Sequence, residues 1–167
     1  DKRPSFSGES KFPLIPDIER VNWPEKNAPG FFLAQDRDRN GKIESVSELF
    51  ANSDGVANGF EALRPFDTNK DGLVNKKDQD FSSLLLWRDA NGDGLNQKGE
   101  LESLSKRVTE ISLKYDNATH KSFADRAEVR QASKFTYKKA NGKEETGDIL
   151  DIWFSSVAST RQTAAAP

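Results

Sequence analysis

Three short stretches constrain this chain more than anything else in it: Asp36-Arg-Asp38-Arg-Asn40-Gly41, Asp67-Thr-Asn69-Lys-Asp71-Gly72 and Asp89-Ala-Asn91-Gly-Asp93-Gly94. Each alternates an oxygen-bearing side chain with a spacer and ends in glycine. A chain that turns this tightly sends alternate side chains to one point, and a cluster of oxygens is what a hard divalent cation requires. The other reading, that Asp/Asn/Gly clusters are ordinary turns, accounts for one such stretch. It does not account for three, two of which are followed by an acid at a matching distance.

The spacing is that of the first half of an EF-hand calcium loop. Such a loop uses side chains at positions 1, 3 and 5, the carbonyl of position 7, often a water held by position 9, and a closing acid at position 12. Loop two supplies Asp67, Asn69, Asp71, the Leu73 carbonyl, Asn75 and the shorter closing acid Asp78. Loop three supplies Asp89, Asn91, Asp93, the Leu95 carbonyl, Gln97 and Glu100. Loop one supplies Asp36, Asp38, Asn40 and the Lys42 carbonyl, with Glu44 at position 9, but position 12 is Ser47. Either the loop is expanded by one residue so that Glu48 closes it, or Glu44 coordinates directly. Up to three calcium ions are expected. They would add six positive charges to a chain of formal net charge −2 and relieve the mutual repulsion of the carboxylates. Part of the binding energy would then be folding energy.

Composition narrows the alternatives. The 167 residues suit one compact module, and 34% hydrophobic residues leave a modest core. The near-neutral charge and lack of a basic stripe argue against nucleic acid as a partner. Without cysteine there is no disulfide and no thiolate ligand. No apolar run reaches membrane-spanning length. With no methionine at all, the chain reads as a mature product or a piece of something longer, monomeric and joined to other domains of a parent protein. The single histidine, His120, lies in a polar stretch and cannot carry a Ser/His/Asp set. Paired acids could serve glycoside hydrolysis but are better used as metal ligands. Trp23, Trp87 and Trp153 read as core anchors, and Asn117-Ala118-Thr119 matches a glycosylation sequon.

The expected fold is α+β, with short helices bearing the EF-hand-like loops packed on a small C-terminal antiparallel sheet. Residues 1–20 read as an extended segment, 21–157 as the module and 158–167 as a disordered tail. Val21 to Trp23 and Phe31 to Ala34 read as strands, and Val46 to Asn52, Gly59 to Phe66 and Glu100 to Lys106 as short helices. Lys77 to Arg88 reads as the clearest helix, with Phe81, Leu84, Leu85 and Trp87 on its apolar face. Such a helix is roughly 15–18 Å long, which separates loop three from loop two. Loop one and loop two are therefore the expected couple, through the β-branched Ile43 and Val74 at the eighth loop position; Asn96 in loop three suits that role poorly. From residue 111 onward apolar residues alternate with polar ones. Asn141-Gly142 is a hairpin turn, and Ile149 to Phe154 a further strand.

Several stretches taken together resemble a known family. They are Gly30 to Glu44 followed by Ser47-Glu48-Leu49-Phe50; Gly59-Phe60-Glu61-Ala62-Leu63 ahead of the second loop; Trp87-Arg88-Asp89; Glu110 to Tyr115; and Gly147 to Leu150. In order and spacing these are similar to the self-processing modules of secreted bacterial repeat-in-toxin (RTX) proteins, over roughly residues 20 to 156. The resemblance implies a calcium-binding structural module in an extracellular space, and a first loop closed by an acid at position 13, which favours Glu48. It also implies calcium-triggered cleavage of an Asp-Pro bond just before the module. No Asp-Pro occurs here, and Phe12-Pro-Leu-Ile-Pro-Asp17 stands where the family has an acidic loop. The chain therefore reads as a non-enzyme unless a scissile bond lies upstream of residue 1. Loop two with the segment after it also resembles half of a dockerin repeat. The third reading is accordingly a dockerin-like or calcium-switched protein-binding module.

Overall fold

A computed structural model describes residues 5–51, 55–117 and 121–157. His120, most of the sequon and the 158–167 tail lie outside the described residues. The architecture is mostly β, which overturns the expectation of helices bearing the loops. Among the described residues there is one α-helix, α1 (Gly59–Leu63), and the other helical pieces are single 3-10 turns. Ten strands form three sheets. Strands β1 (Gly8–Ser10) and β2 (Val21–Trp23) make an antiparallel pair. Strands β3 (Phe32–Ala34), β5 (Leu85–Trp87) and β6 (Leu101–Ser103) make a second sheet with β5 in the middle. The third sheet runs β10-β9-β7-β4, with β8 also on β9. Its strands are β4 (Leu73–Asn75), β7 (Val108–Ser112), β8 (Lys121–Phe123), β9 (Ala127–Lys138) and β10 (Glu144–Phe154).

The largest departure from expectation is residues 77–88. A 3-10 turn at Phe81–Ser83 replaces the helix and leads into β5. Leu84 and Trp87 are fully buried and Leu86 nearly so. A central strand covered on both faces reads as a continuous apolar run, and such a run cannot be told from a buried helix by periodicity alone. Glu100 to Lys106 likewise becomes β6 followed by a 3-10 turn. Val46 to Asn52 is reduced to the turn Val46–Glu48, after which Leu49 bridges to Ala34. Among the described residues, none of the three loops runs directly into an α-helix.

Other expectations hold. Asn58 accepts a hydrogen bond from the Glu61 amide and starts α1, and Pro65 lies in the 3-10 turn that carries the chain on to Phe66. The C-terminal sheet is antiparallel, and β9 and β10 meet around Asn141-Gly142, where Gly142 has φ +78°. The core has two parts. One is mainly aliphatic and lies under β4 and β7: Leu63, Val74, Leu84, Leu104 and Ile111 with Phe81 and their neighbours. The other is built on Trp23 and Trp87, with Phe12, Val21, Ala34, Ile43 and Leu49. Trp153 is only half-buried, with the Arg130 guanidinium 3.9 Å from its ring centre. Within residues 1–20, Phe6 and Phe12 are buried. No described helix is long and apolar enough to cross a membrane.

Candidate metal centre

The three loops repeat one backbone. Their sixth residues, Gly41, Gly72 and Gly94, have φ of +82°, +83° and +72°, and their fourth residues, Arg39, Lys70 and Gly92, are also left-handed at +61°, +60° and +74°. Glycine at the sixth place accepts that geometry at little cost. The same hydrogen bonds recur in each loop. The amide of position 5 donates to one oxygen of the position-1 carboxylate: Asn40 to Asp36 at 3.1 Å, Asp71 to Asp67 at 3.0 Å and Asp93 to Asp89 at 3.2 Å. The glycine amide donates to the other oxygen, at 2.8, 2.8 and 2.6 Å. The amide of position 7 donates to the side chain of position 5, at 2.8, 2.9 and 2.8 Å. The position-5 amide also reaches the position-3 side chain, at 3.1 Å in each loop, so the oxygens of positions 1, 3 and 5 are tied to one turn, and each keeps further lone pairs. Among the described residues, only loop one brings three acidic ligands together within 4.8 Å. The Lys42, Leu73 and Leu95 carbonyls follow at position 7, and the Leu95 side chain is exposed.

The closing acids also correspond. In loop two the Asp78 carboxylate accepts from the Asn75 amide at 2.9 Å and the Thr68 amide at 2.8 Å. In loop three Glu100 accepts from the Gln97 amide at 3.0 Å and the Ala90 amide at 3.0 Å. In loop one it is Glu48 that takes the equivalent amide, that of Glu44, at 2.8 Å. Ser47 instead shares a hydrogen bond with Ser45, and the Glu44 carboxylate accepts from the Asn40 side-chain amide. Oxygens of Asp36, Asp38 and Glu48 come within 4.8 Å of one another.

Glu48, like Asp78, is 5% exposed, but it differs from the other two in that its Oε1 is buried without a hydrogen-bond partner. A buried, unpartnered carboxylate oxygen is costly, and this one belongs to the Asp36–Asp38 cluster. The donor set is all oxygen, which fits a hard cation such as calcium rather than a thiolate- or imidazole-seeking metal. Asp78 sits in a different environment. Burial pushes its carboxyl up, but the amides of Asn75, Asn69 and Thr68 and the Thr68 hydroxyl outweigh that and hold it below its ordinary value.

The eighth-position expectation is reversed. Val74 pairs with Ile111 of β7, so loop two joins the C-terminal sheet and not loop one. Loop one meets loop three, where the Ile43 amide donates to Asn96 Oδ1 at 3.2 Å. Periodicity missed this because a side-chain amide takes the place of a strand contact. Sequence reading also missed how the N-terminal hairpin grips loop three. Trp23 Nε1 donates to Asp89 Oδ2 at 2.6 Å, and the Asn27 amide donates to the Ala90 carbonyl at 2.9 Å.

Fold and loops together define a small, mostly β module carrying three oxygen-lined turns. The chain belongs to the SPM domain family, whose pattern it matches over residues 15–155. It is also similar to the iron-regulated protein FrpA of Neisseria meningitidis serogroup C, at 30% identity over 126 residues. That match covers 71% of this chain and 11% of FrpA, so the chain spans about a tenth of that relative's length.

Proposed function

We propose that this chain is a calcium-binding structural module of a secreted RTX-type protein, and that calcium completes and rigidifies its loops. The observation that carries the reading is Glu48 Oε1, a buried carboxylate oxygen with no partner beside Asp36 and Asp38. A divalent cation held by these three residues and Asn40 would supply the missing interaction. Loops two and three carry the same donor pattern, with Asp67, Asn69, Asp71 and Asp78 in one and Asp89, Asn91, Asp93 and Glu100 in the other. When bound, the ion supplies charge neutralisation and cross-linking of each turn; the chain supplies the preset oxygens. Calorimetric titration with calcium of the wild type, Asp36→Ala, Asp67→Ala and Asp89→Ala tests this. Each variant is expected to lose one equivalent of binding. Absence of binding heat, with the same melting temperature in calcium and in chelator, would rule the reading out.

Membership of the SPM family supports a second reading, calcium-triggered processing of a bond upstream of residue 1. The grip of the N-terminal hairpin on loop three is consistent with it, since ion binding there would order the segment next to such a bond. Incubation of a longer form of the protein with calcium, read by mass spectrometry for a new fragment, tests it.

A further inference from the structure

Loops one and three, we infer, form a single coupled two-ion unit, while loop two loads independently; this rests on the calcium reading above. Strands β3 and β5 lie side by side and antiparallel, with Phe32 opposite Trp87 and Ala34 opposite Leu85. Each leads into a loop, β3 into loop one and β5 into loop three. The returning chain lies against its own leading strand in the same way on both sides. The Gln35 amide donates to the Glu48 carbonyl and the Arg88 amide to the Glu100 carbonyl, both at 2.8 Å. Leu49 bridges to Ala34, and Leu101 pairs with Trp87. The two strand–loop–strand units therefore face each other across β3 and β5, and they touch where Ile43 donates to Asn96.

That contact lies against the core. Ile43 is 1% exposed and packs in the cluster built on Trp23 and Trp87. Asn96 is partly buried; its Nδ2 has no partner, and its Oδ1 takes the Ile43 amide, so that contact is the side chain's hydrogen bond to the chain at this point. An ion that fixes loop one fixes the Ile43 peptide, and with it the orientation of Asn96 in loop three. The second ion then meets a loop whose ordering entropy is already lost, which is positive cooperativity. Loop two has no share in this. Its eighth residue belongs to the β4–β7 ladder, and its Gly72 carbonyl accepts from Leu113.

Calcium titration of the full chain, followed by two-dimensional 1H–15N NMR, reads one amide from each loop: Gly41, Gly72 and Gly94. Gly41 and Gly94 are expected to share a midpoint with a Hill coefficient above one, and Gly72 to follow its own curve. Asn96 is not a proposed ligand, so Asn96→Ala should split the shared midpoint and return each curve to simple binding without loss of an equivalent. In Asp38→Asn, altered at an exposed ligand of loop one, the Gly94 midpoint is expected to rise about fivefold or more while Gly72 stays put. This second variant decides the matter if Asn96→Ala fails to fold. An unmoved Gly94 midpoint in Asp38→Asn, or an equal shift of Gly72, overturns the coupling while leaving calcium binding intact. A titration to which no glycine responds instead removes the calcium reading, and the coupling with it.

Discussion

Loop two and loop three match position for position, yet they sit in different surroundings. Gly72 and Gly94 have the same left-handed backbone, and a methyl group on Gly72 would meet nothing within 4 Å, whereas on Gly94 it would fall 1.6 Å from Ser10 Oγ. Loop two faces the C-terminal sheet and an aliphatic core, and loop three is gripped by the N-terminal hairpin. The closing acids divide along another line. Asp78 and Glu48 are each 5% exposed, but both oxygens of Asp78 accept amides and one of Glu48 accepts nothing. A closing acid already satisfied by the chain shapes its loop without help. One left partly unsatisfied keeps an oxygen that, on the proposed calcium reading, the ion would take up. Similar sequence thus yields, on that reading, one closing acid that is already scaffold and one that is left as site.

The comparison breaks most sharply at the two glycines. Alanine at either position must adopt positive φ, at about 1–2 kcal/mol. Gly94→Ala must also push against Ser10, which is buried and whose hydroxyl accepts from the Phe12 amide; overpacking of this kind adds roughly 1–3 kcal/mol. Urea denaturation in chelator should therefore show Gly94→Ala losing roughly 2–5 kcal/mol and Gly72→Ala only the smaller part. Equal losses would mean that loop three is not held by the hairpin.

The two acids give an intermediate effect. In Asp78→Asn one of the side-chain atoms facing backbone N–H groups becomes a donor itself. The loss expected in chelator is about 2–3 kcal/mol. Glu48→Gln keeps an acceptor for the Glu44 amide and removes a buried charge, so in chelator it should be no less stable than the wild type. Its deficit should emerge only when calcium is added, as a smaller rise in melting temperature. If the two variants behave alike in chelator, the distinction between scaffold and site fails.

How far the sequence led depends on whether a feature is local. The loops, the Asn141-Gly142 hairpin and the alternating strands rest on turn chemistry and period, and both can be read over a few residues. Glu48 is favoured over Glu44 only through the family resemblance carried by Ser47-Glu48-Leu49-Phe50, since turn spacing alone leaves both open. Leu84 to Trp87 could not be read as a strand, because burial on both faces erases the period that separates strand from helix. The partner of loop one could not be read either. Its contact runs through Asn96, far off in sequence and a poor strand former, and the expectation leaned on a helix that does not exist. The hairpin's grip on loop three rests on Trp23, Ser10 and Asn27, which carry no metal-site signal of their own.

The smallest expected effect lies ahead of loop two, at Asp151, which reaches from β10 to accept from the Gly59 amide at the start of α1 at 3.0 Å. Burial raises its pKa above the ordinary 3.8, and the Gly59 amide, Trp153 and Arg130 offset only part of that. The folded state therefore holds this proton more tightly than the unfolded state. Stability falls as pH rises from the unfolded value through the raised folded one, and is flat above it. Asp151→Asn keeps an acceptor for Gly59 and removes the charge. Relative to the wild type, its stability in chelator should be near parity below the ordinary carboxylate range, gain as the pH rises through that window and level off above the raised folded value. The comparison of the two proteins cancels the other carboxylates, which titrate in both. A difference that stays constant across the range would show that the Gly59 contact balances burial, and one that comes to favour the wild type at neutral pH that it outweighs burial, so that the ionised Asp151 supports the α1 end of loop two.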